Sequence, residues 1–160
     1  SLRGSEPPSK NPSLFSNMAC APPMGGMVWL TSCPKSNLHG EYNFTRPDVP
    51  FLLHDYTEGP AAIEGEYDLC WSVEFLEHVD EKYMDNWMED VKRCKYVICT
   101  HAEPGDGGRH HVNEQYHDYW VEKFDDYGFN FAVDLTQELR EASTMTKKFM
   151  RQNGLVFIRR

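Results

Sequence analysis

The chain has 160 residues, 40% of them hydrophobic and 13% aromatic, which is enough for one packed core and too apolar for a disordered polymer. Its 25 acidic residues outweigh 16 basic ones, for a formal charge of -9. Such a chain gains nothing from counterion release on a phosphate backbone and is repelled by anionic lipid, so nucleic acid and membrane surfaces are excluded as expected partners.

Residues 1–23 read as a loose tail, because prolines at Pro7, Pro8, Pro12, Pro22 and Pro23 suit neither helix interiors nor central strands. Leu14 to Ala19 is the one piece of it expected to order. The folded domain is expected over residues 24–160. Met24 to Leu30 reads as either a helix start or a short strand, and Cys33 to Pro50 is rich in turn residues. Val49 to His54 is a short apolar run that ends at Asp55.

The pattern sharpens at Tyr67 to Val73, a mostly apolar strand. Leu76, Val79, Tyr83, Trp87, Val91 and Cys94 then recur every three or four residues, which predicts one amphipathic helix. On it Glu77, Asp80, Glu81 and Asp85 read as a solvated face and first-turn acids. Lys95 to Thr100 predicts a second strand. A Gly-rich loop follows, and Asn113 is expected to cap a helix carrying an aromatic stripe from Tyr116 to Tyr127 that stops at Gly128. Phe129 to Leu135 and Leu155 to Ile158 predict two strands pairing antiparallel at an edge, with a short helix over Thr136 to Ala142 between them.

Alternation of strand and helix predicts an α/β fold with a mostly parallel sheet, helices on both faces and an antiparallel C-terminal edge. In such sheets ligands bind beyond the carboxyl ends of the strands. That rule singles out Asp55 and Tyr56, then Trp71, Ser72 and Glu74, then the loop from His101 to Asn113. Asp55 serves equally as a loop cap or as an acceptor for a ribose or adenine donor. Glu74, at a strand-to-helix bend, suits a substrate hydroxyl or amine. The five cysteines, Cys20, Cys33, Cys70, Cys94 and Cys99, form no C-x-x-C pair, which suits a reducing, cytoplasmic setting. No apolar stretch approaches the roughly 20 residues that span a bilayer. No metal site is expected, since adjacent His110 and His111 do not easily reach one ion.

YDLCWSVEFLEHV at Tyr67 to Val79 resembles the fourth-strand segment of class I, Rossmann-like S-adenosylmethionine-dependent methyltransferases. LLHDY at Leu52 to Tyr56 resembles their adenine-contacting strand end. THAEPGDGGRHHVNEQ with the following YW, from Thr100, is similar to a subgroup common in phage and environmental bacterial sequences. The likeness covers residues 47 to 160. It implies a seven-stranded sheet, S-adenosylmethionine as cofactor and a small-molecule, sugar or lipid acceptor. By the same resemblance Gly25, Gly26, Glu41, Asp55, Tyr56, Trp71 and Ser72 contact the cofactor. Glu74, His78, His110 and Asn113 face the acceptor, and His111 is the catalytic base.

The departure lies in MACAPPMGGMV, Met18 to Val28, where only Gly25 and Gly26 remain of the family's glycine turn and Pro23 fixes φ and removes an N–H. The N-terminal part is therefore expected to be incomplete or altered. The rival expectation is a non-catalytic methyltransferase-like domain that has lost the cofactor turn and binds a ligand or a protein partner.

Overall fold

A computed structural model of the chain describes residues 54–108 and 110–160 in full, and within 1–53 the backbone of three strands. Seven strands form one sheet: β1 (Ser16–Ala21), β2 (Val28–Ser32), β3 (Phe51–Leu53), β4 (Tyr67–Val73), β5 (Cys94–Thr100), β6 (Phe129–Phe131) and β7 (Gly154–Arg159). Their spatial order is β3-β2-β1-β4-β5-β7-β6. The helices are α1 (Met84–Val91), α2 (His117–Asp126), α3 (Val133–Ala142) and α4 (Phe149–Asn153). The molecule is thus an α/β protein with a mixed sheet.

Strand direction differs from the mostly parallel expectation in an instructive way. Parallel pairs are β2/β3 and β4/β5, whereas β1 is antiparallel to both β2 and β4, and β7 is antiparallel to both β5 and β6. It follows that β2, β3, β4, β5 and β6 point one way, with β1 and β7 reversed. The antiparallel C-terminal edge is present as expected. The reversal of β1 has a simple cause. Only residues 22–27 separate it from β2, and a parallel crossover needs a dozen or more residues. Strand β1, SNMACA, also lies inside the segment whose composition reads as a tail, within its longest proline-free stretch, residues 13–21.

The two faces of the sheet are unequally covered. The register places Cys70, Val97 and Phe157 in one row and Ser72, Cys99 and Leu155 in the next, all on one face and all buried. Helices α1 and α2 both cover that face. Phe124 of α2 stacks on Phe157 with ring centroids 4.0 Å apart, and Trp87 of α1 lies 6.2 Å from Phe124. On the opposite face Leu69, Trp71, Tyr96 and Ile98 are half-buried.

The long helix expected from Leu76 to Cys94 is broken. Leu76–His78 and Glu81–Tyr83 are single 3-10 turns, and only Met84–Val91 is α-helical. Val79 is extended, and Asp80 restarts the chain by accepting the Lys82 N–H at 3.1 Å. Cys94 belongs to β5. The aromatic stripe holds from Tyr119 to Tyr127, with Trp120 and Phe124 buried, whereas Tyr116 precedes the helix and is exposed; Gly128 at φ +92° ends α2 as expected. Asn113 does not cap that helix, whose N-cap is Tyr116. Strand β6 is shorter than expected, because Val133 to Leu135 join α3. Among the described residues no helix is long and apolar enough to cross a membrane.

Candidate functional site at the carboxyl ends of the strands

Because β3, β4 and β5 point the same way, Asp55, Glu74 and His101 all emerge at one edge of the sheet. Strand β4 ends in a forced bend. Glu74 adopts φ +55°, a left-handed conformation that is strained for a residue with a Cβ, and its N–H donates to Thr100 Oγ1 at 2.9 Å. This contact fastens the end of β4 to the end of β5. The 3-10 turn at Leu76–His78 follows and carries Glu77 and His78 back over the edge.

The loop after β5 is laced onto that turn. Val112 and Asn113 both donate their N–H groups to the Glu77 carbonyl, at 2.9 and 3.1 Å. Asn113 Nδ2 donates to the Val79 carbonyl at 3.2 Å, and its Oδ1 accepts from Gln115 Nε2. Buried Asn113 is thus the clamp between two loops rather than a helix cap. Within the loop Glu114 is the organising acceptor. Its carboxylate takes the N–H groups of Gly105 and Gly107 at 3.0 and 3.1 Å and meets His111 Nδ1 at 2.9 Å. These bonds, the Gly105 N–H foremost, hold its carboxyl below the usual carboxylate range.

Four side chains meet here. The His78 and His111 rings lie edge to face at 4.9 Å between centroids. Glu77 is 1% exposed, and its Oε2 has no hydrogen-bond partner. Burial pushes the Glu77 carboxyl up to about 8, helped by the charge of neighbouring Glu74 and opposed by its own backbone N–H. Burial also raises Glu74, against the pull of His111 and Lys147. His78 is lowered by burial, against the His110 carbonyl that accepts from its Nδ1 at 3.2 Å.

Gly108 makes room for this arrangement. A Cβ at that position would come within 2.2 Å of His111 Nε2 and 2.3 Å of its Cε1. The imidazole therefore packs where only glycine leaves space.

The expected residues are distributed as follows. Glu74, His78, His111 and Asn113 are brought together. His110 joins through its backbone carbonyl, at φ +67°, while its side chain is exposed. Asp55 Oδ1 accepts the Thr57 N–H at 2.9 Å and so caps a turn, whereas its Oδ2 is buried without a partner. Ser72 Oγ is likewise buried and unpartnered. Tyr56 is 1% exposed and packs edge-on against Phe75 at 6.0 Å, so its ring is part of the core. Trp71 points to the face opposite Ser72, as strand alternation requires.

The strand before the expected glycine turn runs in reverse. Strands β1 and β2 meet with Cys20 opposite Val28, and Ala21 lies beside Leu69 in the first half of β4. That edge is the one away from Asp55, Glu74 and His101, because β1 runs in reverse. Gly25, Gly26 and Glu41 themselves lie outside the described residues.

Sequence reasoning missed Glu77, Glu114 and Gly108. Glu77 was expected on a solvated helix face, but the 3-10 turn changes its phase and turns it inward. Glu114 carried a readable signal, an acid three residues after a histidine in a Gly-rich loop.

No family model, curated protein or solved structure matches the chain.

Proposed function

We propose that the chain is an S-adenosylmethionine-dependent methyltransferase domain of Rossmann-like type acting on a small-molecule, sugar or lipid acceptor. One observation carries this reading: the strand ends that the resemblance assigns to cofactor and acceptor lie on a single sheet edge. The order β3-β2-β1-β4-β5 also agrees with a doubly wound sheet, and the antiparallel C-terminal edge agrees with the seven-stranded form.

The residues present suit the cofactor in part. The buried, unpartnered Asp55 Oδ2 fits an O–H or N–H donor such as a ribose hydroxyl or an adenine amino group, and Ser72 Oγ offers a second polar contact. The bound cofactor supplies an electrophilic methyl group. The chain's own task is then to align an acceptor and manage its proton. Glu74 and Asn113 border the acceptor side. His111 accepts the acceptor proton at Nε2, since Nδ1 is engaged by Glu114.

The reversed β1 favours a second reading. A sheet whose first strand ends on the side away from Asp55, Glu74 and His101 suits a domain that retains the acceptor cleft and has lost the cofactor.

Calorimetric titration of the purified chain with S-adenosylmethionine and S-adenosylhomocysteine separates the two. The methyltransferase reading expects micromolar binding, weakened at least tenfold by Asp55→Ala. Absence of binding to a folded sample overturns it and leaves the ligand-binding domain.

A further inference from the structure

Glu77, His78 and His111 come from two separate loops, yet one ligand atom from each lies within 4.8 Å of the others. Two carboxylates and two imidazoles crowded at a strained bend are costly to assemble for packing alone. We propose that Glu77, His78 and His111 bind one divalent first-row transition-metal cation, such as Zn2+, Fe2+ or Co2+.

Three independent features support the site. Glu77 is all but fully buried beside Glu74, and its Oε2 has no hydrogen-bond partner, so the carboxylate next to the two imidazoles keeps an unengaged oxygen. Both histidines have their tautomer fixed from behind. His78 Nδ1 faces the His110 carbonyl at 3.2 Å and His111 Nδ1 faces the Glu114 carboxylate at 2.9 Å. Both partners only accept, so in the neutral imidazole each Nδ1 carries the proton and each Nε2 keeps its lone pair. A ligating histidine has this arrangement in metal sites, where the rear N–H goes to a carboxylate or a backbone carbonyl. The third feature is Gly108, whose missing side chain leaves the space that the His111 ring occupies.

Two imidazoles with one carboxylate select the cation by chemistry. Mg2+ and Ca2+ prefer all-oxygen surroundings, whereas Zn2+ and Fe2+ are held by this mixed set. Ligand atoms about 2.1 Å from a tetrahedral ion lie about 3.4 Å apart, so binding draws the three inward by no more than about 1.4 Å. His110 is not a ligand, and the conflict between adjacent histidines does not arise, because the second imidazole comes from His78.

Three protein ligands leave positions open for oxygen, and an oxygen so bound becomes more acidic. With the cation in place His111 is a ligand and no longer the base, and a hydroxyl bound to the cation would give up its proton to water as its oxygen takes the methyl group. Only this last step rests on the methyltransferase reading, where it selects hydroxyl-bearing acceptors. The site itself does not require the cofactor.

The test uses the full chain with the metal alone. Zn2+ is titrated calorimetrically, and Co2+ is followed by its visible absorption, which also reports whether thiolates participate. The proposal expects one equivalent bound, no sulfur-to-cobalt charge-transfer band, and a loss of affinity of at least tenfold in each of Glu77→Gln, His78→Gln and His111→Gln. His117→Gln, as a control, leaves affinity unchanged. Should a buried substitution unfold the chain, Glu114→Gln and Gly108→Ala serve in its place. The former removes the group behind His111 and is expected to cost roughly 10–100-fold; the latter displaces the His111 ring. No binding to folded protein, or binding that all five variants leave unaltered, overturns the proposal. Cation binding without S-adenosylmethionine binding removes the methyltransferase reading and leaves this site standing.

Discussion

At the scale of single residues, the carboxyl edge holds titratable groups against their ordinary behaviour. His101 is buried, with Nδ1 facing the Gln115 carbonyl at 3.2 Å and Nε2 without a partner. Burial, with His117 next in effect, lowers it from 6.5 to about 4. The unfolded chain therefore takes up a proton below about 6.5 that the folded chain refuses, so His101 costs stability as pH falls from there toward 4, by up to about 3 kcal/mol. Glu77 acts in the opposite sense. Its folded carboxyl is raised from 4.5 to about 8, so its contribution is fully present below 4.5 and is lost as pH rises through 8. The two oppose each other between pH 4.5 and 6.5. In urea titrations Glu77→Gln is expected to lose stability on acidification across that window, and His101→Gln to gain it. Parallel pH profiles for the two variants would contradict this assignment.

At the scale of elements, α1 is tied to the chain before β4 by Asn86, whose Nδ2 donates to the Tyr56 carbonyl at 2.7 Å, and by a buried carboxylate. Asp90 accepts the Ala61 N–H at 2.8 Å through Oδ2 and the Ile63 N–H at 3.3 Å through Oδ1. Asp90→Ala leaves two N–H groups without an acceptor and is expected to cost about 2–4 kcal/mol by chemical denaturation. Asp90→Asn, which keeps one acceptor oxygen, is expected to cost less. An alanine variant as stable as the parent would show that water serves those donors equally well. This tether was not legible in the sequence, because nothing at Asp90 distinguishes a buried acceptor from an exposed helix acid. Strands β4, β5 and β7 were legible, since short continuous apolar runs have few other solutions. Spacing predicted one helix from Leu76 onward, and it failed where Val79 and Asp80 interrupt it. Periodicity registers apolar positions but not a local restart by a capping aspartate. Glu77 is hidden for the same reason, and it is the centre of the candidate site.

At the scale of the whole molecule, strand direction decides what the chain can do. Five strands deliver their carboxyl ends to one edge, and β1 and the C-terminal β7 do not. The sequence announced trouble at this point through Pro23 and the shortened glycine turn. It did not announce that six residues are too few for a parallel crossover, which only the positions of β1 and β2 reveal. Asp55, Ser72, Glu74 and the loop from His101 to Asn113 were legible because the end of a buried strand is a defined place. Their mutual contacts were not, since they depend on Glu114, Gly108 and the Thr100 hydroxyl, which lie loops apart.

Hydrogen–deuterium exchange with and without S-adenosylhomocysteine tests the functional account most directly. The account predicts slowed exchange at residues 54–57, 72–75 and 100–103, with the rest of the chain unchanged. No change at those three segments, or protection confined to the opposite edge of the sheet, would contradict it.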